Sequence, residues 1–180
     1  MAYLNPTPGV AHSQVLLEID TAANSTITMT GNTVSNIALS STSISVPAIS
    51  KLTVNTSNGT YEWAQLDSRA KRVVATVSSN SITTDLVVDQ ATFFGNVAAA
   101  VGSMSQLGII GAQSNKTRIA FKLRFDGNAA TGAGDTINGQ GYLTQLAPTI
   151  DALQPVWHTP VTLVVDGDFV YLANDTMTGQ

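Results

Sequence analysis

Hydrophobic and polar residues alternate most regularly in the second half of the chain. The segment 116–127, K-T-R-I-A-F-K-L-R-F-D-G, places an apolar residue at every second position from Ile119 to Phe125. Because successive side chains leave opposite faces of a strand, this period of two predicts a half-buried strand. After a turn rich in glycine and aspartate come I-N-G-Q-G-Y-L-T-Q-L-A and V-T-L-V-V-D-G-D-F-V-Y-L. The pattern predicts an antiparallel meander over residues 116–172, with D-G-D as a tight turn or a bulge.

The first half of the chain is rich in Ser, Thr and Asn, with apolar residues at every second or third position. β-Branched residues favour strands, and T-G-N and S-N-G are turn signals, so we predict short strands over residues 15–90. Strands at 73–77 and 82–88 are expected to be joined by S-S-N-S as a hairpin turn. Residues 61–72 break the pattern and predict one or two turns of helix or a charged loop. The alternative for residues 21–58, a low-complexity linker, fits the regular apolar spacing less well.

One segment, residues 92–107, has helical periodicity. Its apolar residues fall at three- and four-residue steps and form a single stripe: Phe93, Val97, Ala100, Val101, Met104 and Leu107. Asp89 or Thr92 could cap its start, and Gly108 could end it. Two internal glycines weaken it, so packing against a sheet must hold it.

The predicted fold is therefore mainly β, an antiparallel β-sandwich or barrel with one short flanking helix. We divide the chain into an N-terminal arm (residues 1–14), a single β-rich domain (15–175) and a flexible tail (176–180). The arm contains two prolines and a glycine. At 180 residues, the chain is long enough for one well-filled core.

Charge is scarce and unevenly distributed. Charged residues make up 11% of the chain, so its polar surface must come from Ser, Thr, Asn and Gln. Such a surface suits a protein that is covered by other chains. All eight Lys and Arg residues lie between Lys51 and Arg124, and the charged residues after Arg124 are all aspartates. The net charge of −4 argues against stable binding of duplex DNA, but it does not exclude DNA that slides past.

No segment of the sequence supplies a catalytic or cofactor site. The absence of cysteine removes disulfides, thiolate nucleophiles and Cys-based metal sites. The two histidines, His12 and His158, lack a motif that would present a nucleophile to them. The glycine-rich segment 127–141 lacks the Gly-Lys-Ser/Thr of a phosphate-binding loop. The pairs Asp126/Asp135 and Asp166/Asp168 leave calcium as an alternative, without a complete ligand spacing.

We expect no insertion of this chain into a membrane. The N-terminus has neither the basic region nor the apolar run of a signal peptide. The longest mostly apolar stretch, residues 97–110, is too short and too interrupted by Gly and Ser to cross a bilayer.

The strand at 116–127 carries basic side chains on its polar face: Lys116, Arg118, Lys122 and Arg124. One interpretation is a solvated strand face that protects an edge from aggregation. The other is a contact with the acidic C-terminal third of a neighbouring copy, which includes Asp166 and Asp168. Complementary charges of this kind fix register more than they add affinity.

The order of elements and three strand motifs resemble the tail tube (major tail) proteins of long-tailed bacteriophages. The motifs are T-R-I-A-F-K-L-R-F-D-G after the helix, then G-Q-G-Y-L-T-Q-L, then T-P-V-T-L-V-V-D-G-D-F. The resemblance covers residues 83–170. The Ser- and Thr-rich first half is less typical, and the turn at 127–134 is an expansion.

The resemblance implies a virion structural protein and not an enzyme. Six copies would form a ring in which sheets of neighbours join into an inner barrel, and stacked rings would form a hollow tube for genome delivery. Besides itself, the chain would contact a tape-measure protein and tail-end proteins, and DNA only in transit. It would be assembled in the bacterial cytoplasm and reside in the virion.

Three segments are candidates for contacts between copies: the N-terminal arm, residues 61–72 with Tyr61 and Trp63, and the C-terminal tail. The alternative function is a binding module, a capsid-decorating or surface-adhesin β-sandwich.

Overall fold

The computed structural model describes residues 15–31, 33–46, 49–64, 70–127, 133–151 and 154–176. These residues form eleven strands and two short helices. In chain order they are β1 (Leu16–Thr21), β2 (Thr26–Thr30), β3 (Thr33–Ala38), β4 (Ile44–Ser45), β5 (Ile49–Ala64), β6 (Lys71–Val87), α1 (Gln90–Phe94), α2 (Met104–Ser114), β7 (Ile119–Gly127), β8 (Ala133–Leu146), β9 (Thr149–Asp151), β10 (Gln154–Val165) and β11 (Val170–Thr176).

Nine of the strands form one antiparallel sheet with the order β4-β1-β7-β8-β10-β6-β5. Strand β11 also pairs with β8, and β9 pairs with β10, whereas β2 and β3 form a separate two-stranded sheet. The prediction of a mainly antiparallel β fold is confirmed.

The main core lies between the inner face of the large sheet and the helices. Leu17 and Ile19 of β1, with Phe121 of β7, pack in one buried cluster with Phe93 and Met104 from the helical region. Alternation along β6 places Ile82, Thr84 and Leu86 on this inner face, because every second side chain of a strand points the same way.

The predicted meander is present, and its last strand is interrupted. Val165 is the register partner of Gly141 and Val170 that of Asn138, so β10 and β11 follow the same edge of β8 in succession. Residues 166–169 leave the ladder between them, with Gly167 at φ 98°. The D-G-D motif is therefore an excursion within one strand line, which agrees with the bulge interpretation.

Two glycines of β8 allow a close approach that a side chain would block. A Cβ atom on Gly139 would lie 2.7 Å from the Phe121 ring, and one on Gly141 would lie 2.1 Å from the carbonyl oxygen of Val164. Glycine inside a strand often marks such an approach.

The hairpin prediction at S-S-N-S is wrong. Strand β6 runs without interruption from Lys71 to Val87, and β5 extends through Tyr61 and Trp63 to Ala64, where a helical turn or loop was expected. The two strands pair along almost their whole length, from Ile49 with Leu86 to Ala64 with Lys71. A local turn signal was overridden here because the long partner strand supplies the hydrogen bonds.

The single helix predicted at 92–107 is replaced by α1 and α2 with turns between them. Gly95 and Gly108 have φ of 79° and 64°, and a Cβ on Gly95 would lie 2.1 Å from the carbonyl oxygen of Gln106. The two backbone segments cross in direct contact, which only glycine permits. Val97 and Val101, assigned to the buried stripe, are instead 94% and 92% exposed.

Several predictions lie outside the described residues, namely those on the N-terminal arm with His12, on residues 65–69, on the centre of the turn at 127–134, and on residues 177–180. Within the described part of the chain, no helix has the length and apolar character needed to span a bilayer.

Candidate subunit interface

Part of the β5–β6 hairpin extends away from the rest of the sheet. Strand β10 pairs with β6 only from Ser81 to Val87. Beyond that point β5 and β6 pair only with each other among the described residues. We call residues 56–64 and 71–80 the arm; this segment is distinct from the N-terminal arm at residues 1–14. At about 3.3 Å per residue the arm is about 30 Å long.

The arm exposes apolar side chains that it cannot cover by itself. Val77 is 85% exposed, Tyr61 63%, Val73 55% and Val74 50%. Tyr61 stacks on Trp63 with ring centroids 6.0 Å apart. An isolated two-stranded ribbon is at best marginally stable, and contiguous exposed apolar surface marks interaction sites. The exposed apolar side chains make the arm a candidate contact surface.

Hydrogen bonds join the base of the arm to residues 166–168, the D-G-D motif. The Ser78 hydroxyl donates a hydrogen bond to Asp168 Oδ1. Asn80 Nδ2 donates to the carbonyl oxygen of Gly167 at 3.1 Å. Because Asn80 is buried at the root of the arm, these bonds help to set the direction in which the arm leaves the sheet.

The predicted attraction between basic and acidic segments occurs within one chain. Arg118 Nη2 lies 2.7 Å from Asp166 Oδ2, in an ion pair whose side chains are about half exposed. A pair this exposed contributes little to stability, since water screens it. Lys116 is exposed at the end of α2, with φ 53°, and precedes the strand.

Lys122 and Arg124 do not lie on a solvated face, and that prediction is wrong. They are 3% and 1% exposed. Glu18 of β1 is the register partner of Lys122. Strand β3 packs on the same side of β7, where Ile37 and Leu39 are buried against Ala120.

Burial raises the pKa of Glu18 from 4.5 to about 7, although the charges of Lys122 and Arg124 oppose that rise. The Glu18 carboxyl is 1% exposed. Its Oε2 atom has no hydrogen-bond partner among the described residues. Loss of hydration therefore outweighs the attraction of the two cations.

A second apolar surface lies around α1. A groove of about 270 Å³ is lined by Val88, Phe93, Phe94, Ile110, Pro148 and Trp157. Phe94 is 59% exposed and Trp157 49% exposed at its rim. Neither residue was selected as a candidate contact from the sequence.

The histidine and aspartate candidates form no metal site among the described residues, where no cluster of three His, Cys, Asp or Glu side chains could hold an ion. His158 lies half-buried in β10 opposite Val87. Asp166 and Asp168 are occupied by Arg118 and Ser78.

The sequence matches no protein family model, and it matches no curated protein sequence at a significant level. Solved structures, in contrast, share its fold. The tail of an empty gene transfer agent particle, refined with C6 symmetry, has a TM-score of 0.57 at 11% identity, over 89% of this chain and 97% of that chain. The chain has the tail tube fold.

Two further structures support this assignment of the tail tube fold. The virion of a native gene transfer agent particle has a TM-score of 0.53 at 11% identity, over 89% of this chain and 97% of that chain. The SPP1 tail tube has a TM-score of 0.50 at 14% identity, over 92% of this chain and 80% of that chain. The resemblance inferred from the strand motifs is confirmed at the level of the fold, and it extends beyond residues 83–170.

Proposed function

We propose that this chain is a tail tube subunit, a virion structural protein that assembles with copies of itself into stacked rings. The main support is the shared fold, which includes 89% of this chain in the comparison with a tail refined under C6 symmetry. By that analogy the rings contain six copies and enclose a channel through which the genome passes. The role is assembly, not catalysis.

The arm is the proposed contact between copies. Among the described residues its two strands pair only with each other over about 30 Å, and its apolar side chains are exposed. A neighbouring copy that packs against Tyr61, Trp63 and Val77 would bury this surface and stabilise the ribbon. Lys116, which is exposed, is a further candidate contact.

The outer face of β5, β6 and β10 is the proposed channel wall. Thr53, Thr83 and Thr162 are register partners in a row across the three strands, and they are partly or fully exposed. Lys51 pairs in register with Asp85, so the neighbouring row carries one charge of each sign. A hydroxyl-rich face without net positive charge would release phosphates easily, because counterion displacement drives DNA binding.

Further partners are other tail proteins, a tape-measure protein inside the tube and tail-end proteins at its ends. DNA would meet the chain only in transit. Assembly in the bacterial cytoplasm and a final location in the virion tail follow from the same proposal.

Electron microscopy of the purified full-length chain, alone and with its partner tail proteins, tests the proposal. We expect rings or tubes with a central channel. A species that stays monomeric at all concentrations and with partners present would contradict it. Decorated shells without a channel would favour the capsid-decorating alternative.

The role of the arm is tested by Val77→Asp, which places a charge on its most exposed valine. We expect loss of rings and tubes with an unchanged far-UV circular dichroism spectrum. Thr28→Asp, at an exposed position of β2, is the matched control and should assemble normally. Normal assembly of both variants would exclude the arm as the contact.

A further inference from the structure

The β2–β3 hairpin is attached to the rest of the protein in an unusual way. Its strands form backbone ladders only with each other among the described residues. Its strand β3 packs on the side of β7 and β8 that faces away from the main core, against Ala120, and also contacts β11. We call this hairpin, residues 26–38, the cover.

The sheet face on which the cover packs, formed by β1, β7 and β8, is polar. Seven side chains of β1, β7 and β8 are at most 4% exposed there. We call them the polar layer: Glu18, Asp20, Lys122, Arg124, Thr136, Asn138 and Gln140. In register, Glu18 lies opposite Lys122, and Lys122 lies opposite Asn138. The layer has the composition of a water-exposed sheet face, which is why the alternation in β7 predicted solvent there.

Little apolar surface holds the cover in place. Ile37 and Leu39 are buried against Ala120, and Ile27 and Val34 are partly buried beside them. The strand β2 is otherwise mostly exposed. Burying charged and amide side chains costs free energy that only good pairing offsets. Among the described residues, Glu18 Oε2 and Gln140 Oε1 have no hydrogen-bond partner.

We propose that the β2–β3 hairpin is a displaceable cover that opens as a unit and hydrates the polar layer while the main sheet stays folded. Its two ends meet at one carboxylate. Asp20 Oδ2 accepts hydrogen bonds from the backbone N–H of Ser40 at 2.9 Å and from the hydroxyl of Ser25 at 3.3 Å. Residues before β2 and after β3 are thus held side by side, which leaves the rest of the hairpin free to swing.

Opening exposes two cations and the Glu18 carboxylate on one sheet face, while Asp20 stays bonded to the two ends of the hairpin. This is the basic surface that the sequence predicted to meet a neighbouring copy. The cover therefore hides that surface in the isolated chain.

The charge on Glu18 shifts the equilibrium between the closed and the open cover. The charged groups that face it are Asp20 from β1, and Lys122 and Arg124 from β7. Among the described residues, β2, β3 and β4 carry no charged or titratable side chain. On β8 the one titratable residue with the parity of Asn138 and Gln140 is Tyr142, which is 40% exposed and lies four residues along the strand from the partner of Lys122. Burial raises the pKa of Glu18 from 4.5 to about 7. The ionised carboxylate therefore gains hydration when the cover opens, and opening becomes more favourable as the pH rises from about 4.5 through about 7.

Thiol labelling tests the cover in the full-length chain, which has no cysteine of its own. Ala120→Cys places a thiol beneath the cover, and Leu163→Cys places one in the main core, where the native residue is 3% exposed. At pH 8 without denaturant we expect Ala120→Cys to react at least about tenfold faster, because local opening costs less than global unfolding. Equal rates that rise together with denaturant would overturn the proposal.

Hydrogen exchange on the unaltered chain tests opening of the cover without any substitution. The amides of β2 and β3 should exchange together and faster than those of β7. If the amides of all three strands exchange only through global unfolding, the proposal of a displaceable cover is wrong.

Glu18→Gln, combined with each of the two cysteine substitutions, tests whether the charge on Glu18 affects opening of the cover. The ratio of the Ala120→Cys rate to the Leu163→Cys rate cancels the common pH dependence of the thiols. With Glu18 present we expect this ratio to rise several-fold between pH 5 and pH 8, and by at most about 70-fold for the stated rise in pKa. With the Glu18→Gln substitution in both cysteine variants the ratio should stay constant, because glutamine does not titrate. A constant ratio with Glu18 present would overturn the coupling to this carboxylate.

Discussion

Replacing Glu18 with glutamine is expected to stabilise the protein at pH 8 and to change little at pH 4.5. The folded-state pKa of about 7 exceeds the ordinary value of 4.5. A raised carboxyl pKa means that folding binds a proton, so stability is complete below pH 4.5 and is lost as the pH rises through about 7. Glutamine has nearly the shape of the protonated carboxyl and carries no charge at any pH.

The size of the effect follows from the same pKa. At about 1.4 kcal/mol per pKa unit, the rise corresponds to at most about 3 kcal/mol of unfolding free energy at pH 8. This is a large part of the stability of an ordinary domain. Truncation to alanine would give a different answer, because it would also remove packing beneath the cover.

Urea unfolding followed by far-UV circular dichroism at pH 4.5 and pH 8 measures the effect. Tryptophan fluorescence would report the wrong regions, since Trp63 lies on the arm and Trp157 is half exposed. Glu62→Gln is the matched control, because Glu62 lies in an exposed pair with Lys71. If Glu18→Gln is no more stable than the unaltered chain at pH 8, burial of an ionised Glu18 is not the source of strain that we infer.

Three further predictions concern backbone packing, a helix cap and the channel wall. Gly141→Ala should cost several kcal/mol, or prevent folding, since its Cβ would meet the Val164 carbonyl oxygen at 2.1 Å; urea unfolding measures this loss. Asp89→Ala should increase hydrogen exchange in α1 by removing the bond from Thr92 N–H. That bond also lowers the pKa of Asp89, so acid should have the same effect. Thr83→Lys should leave tubes intact but slow DNA ejection, increasingly at low salt; equal ejection kinetics would contradict our choice of wall.

The candidate interface could be predicted only in part. Tyr61 and Trp63 were chosen as contact residues, and the structure places them on the arm with their rings stacked. Their role in contacts between copies stays a prediction. The exposed valines of the arm and the rim of the α1 groove were missed, because apolar residues in strands are usually assigned to a core.

The sequence by itself determined the local elements whose signal is short-ranged. Alternation in residues 119–125 predicted β7, because side-chain direction in a strand depends only on residue parity. The order of elements and three strand motifs were sufficient to suggest the resemblance to tail tube proteins.

Only the tertiary structure decided which of these surfaces meet water. The polar face of β7 is predicted to be solvated, yet Lys122 and Arg124 are buried, on the face where β3, from far earlier in the chain, packs against Ala120. The turn signal S-S-N-S was overruled by pairing with β5, and the helical stripe at 92–107 was divided where Gly95 and Gly108 cross. In each case a distant segment supplied the contacts or hydrogen bonds, and no local pattern contains that information.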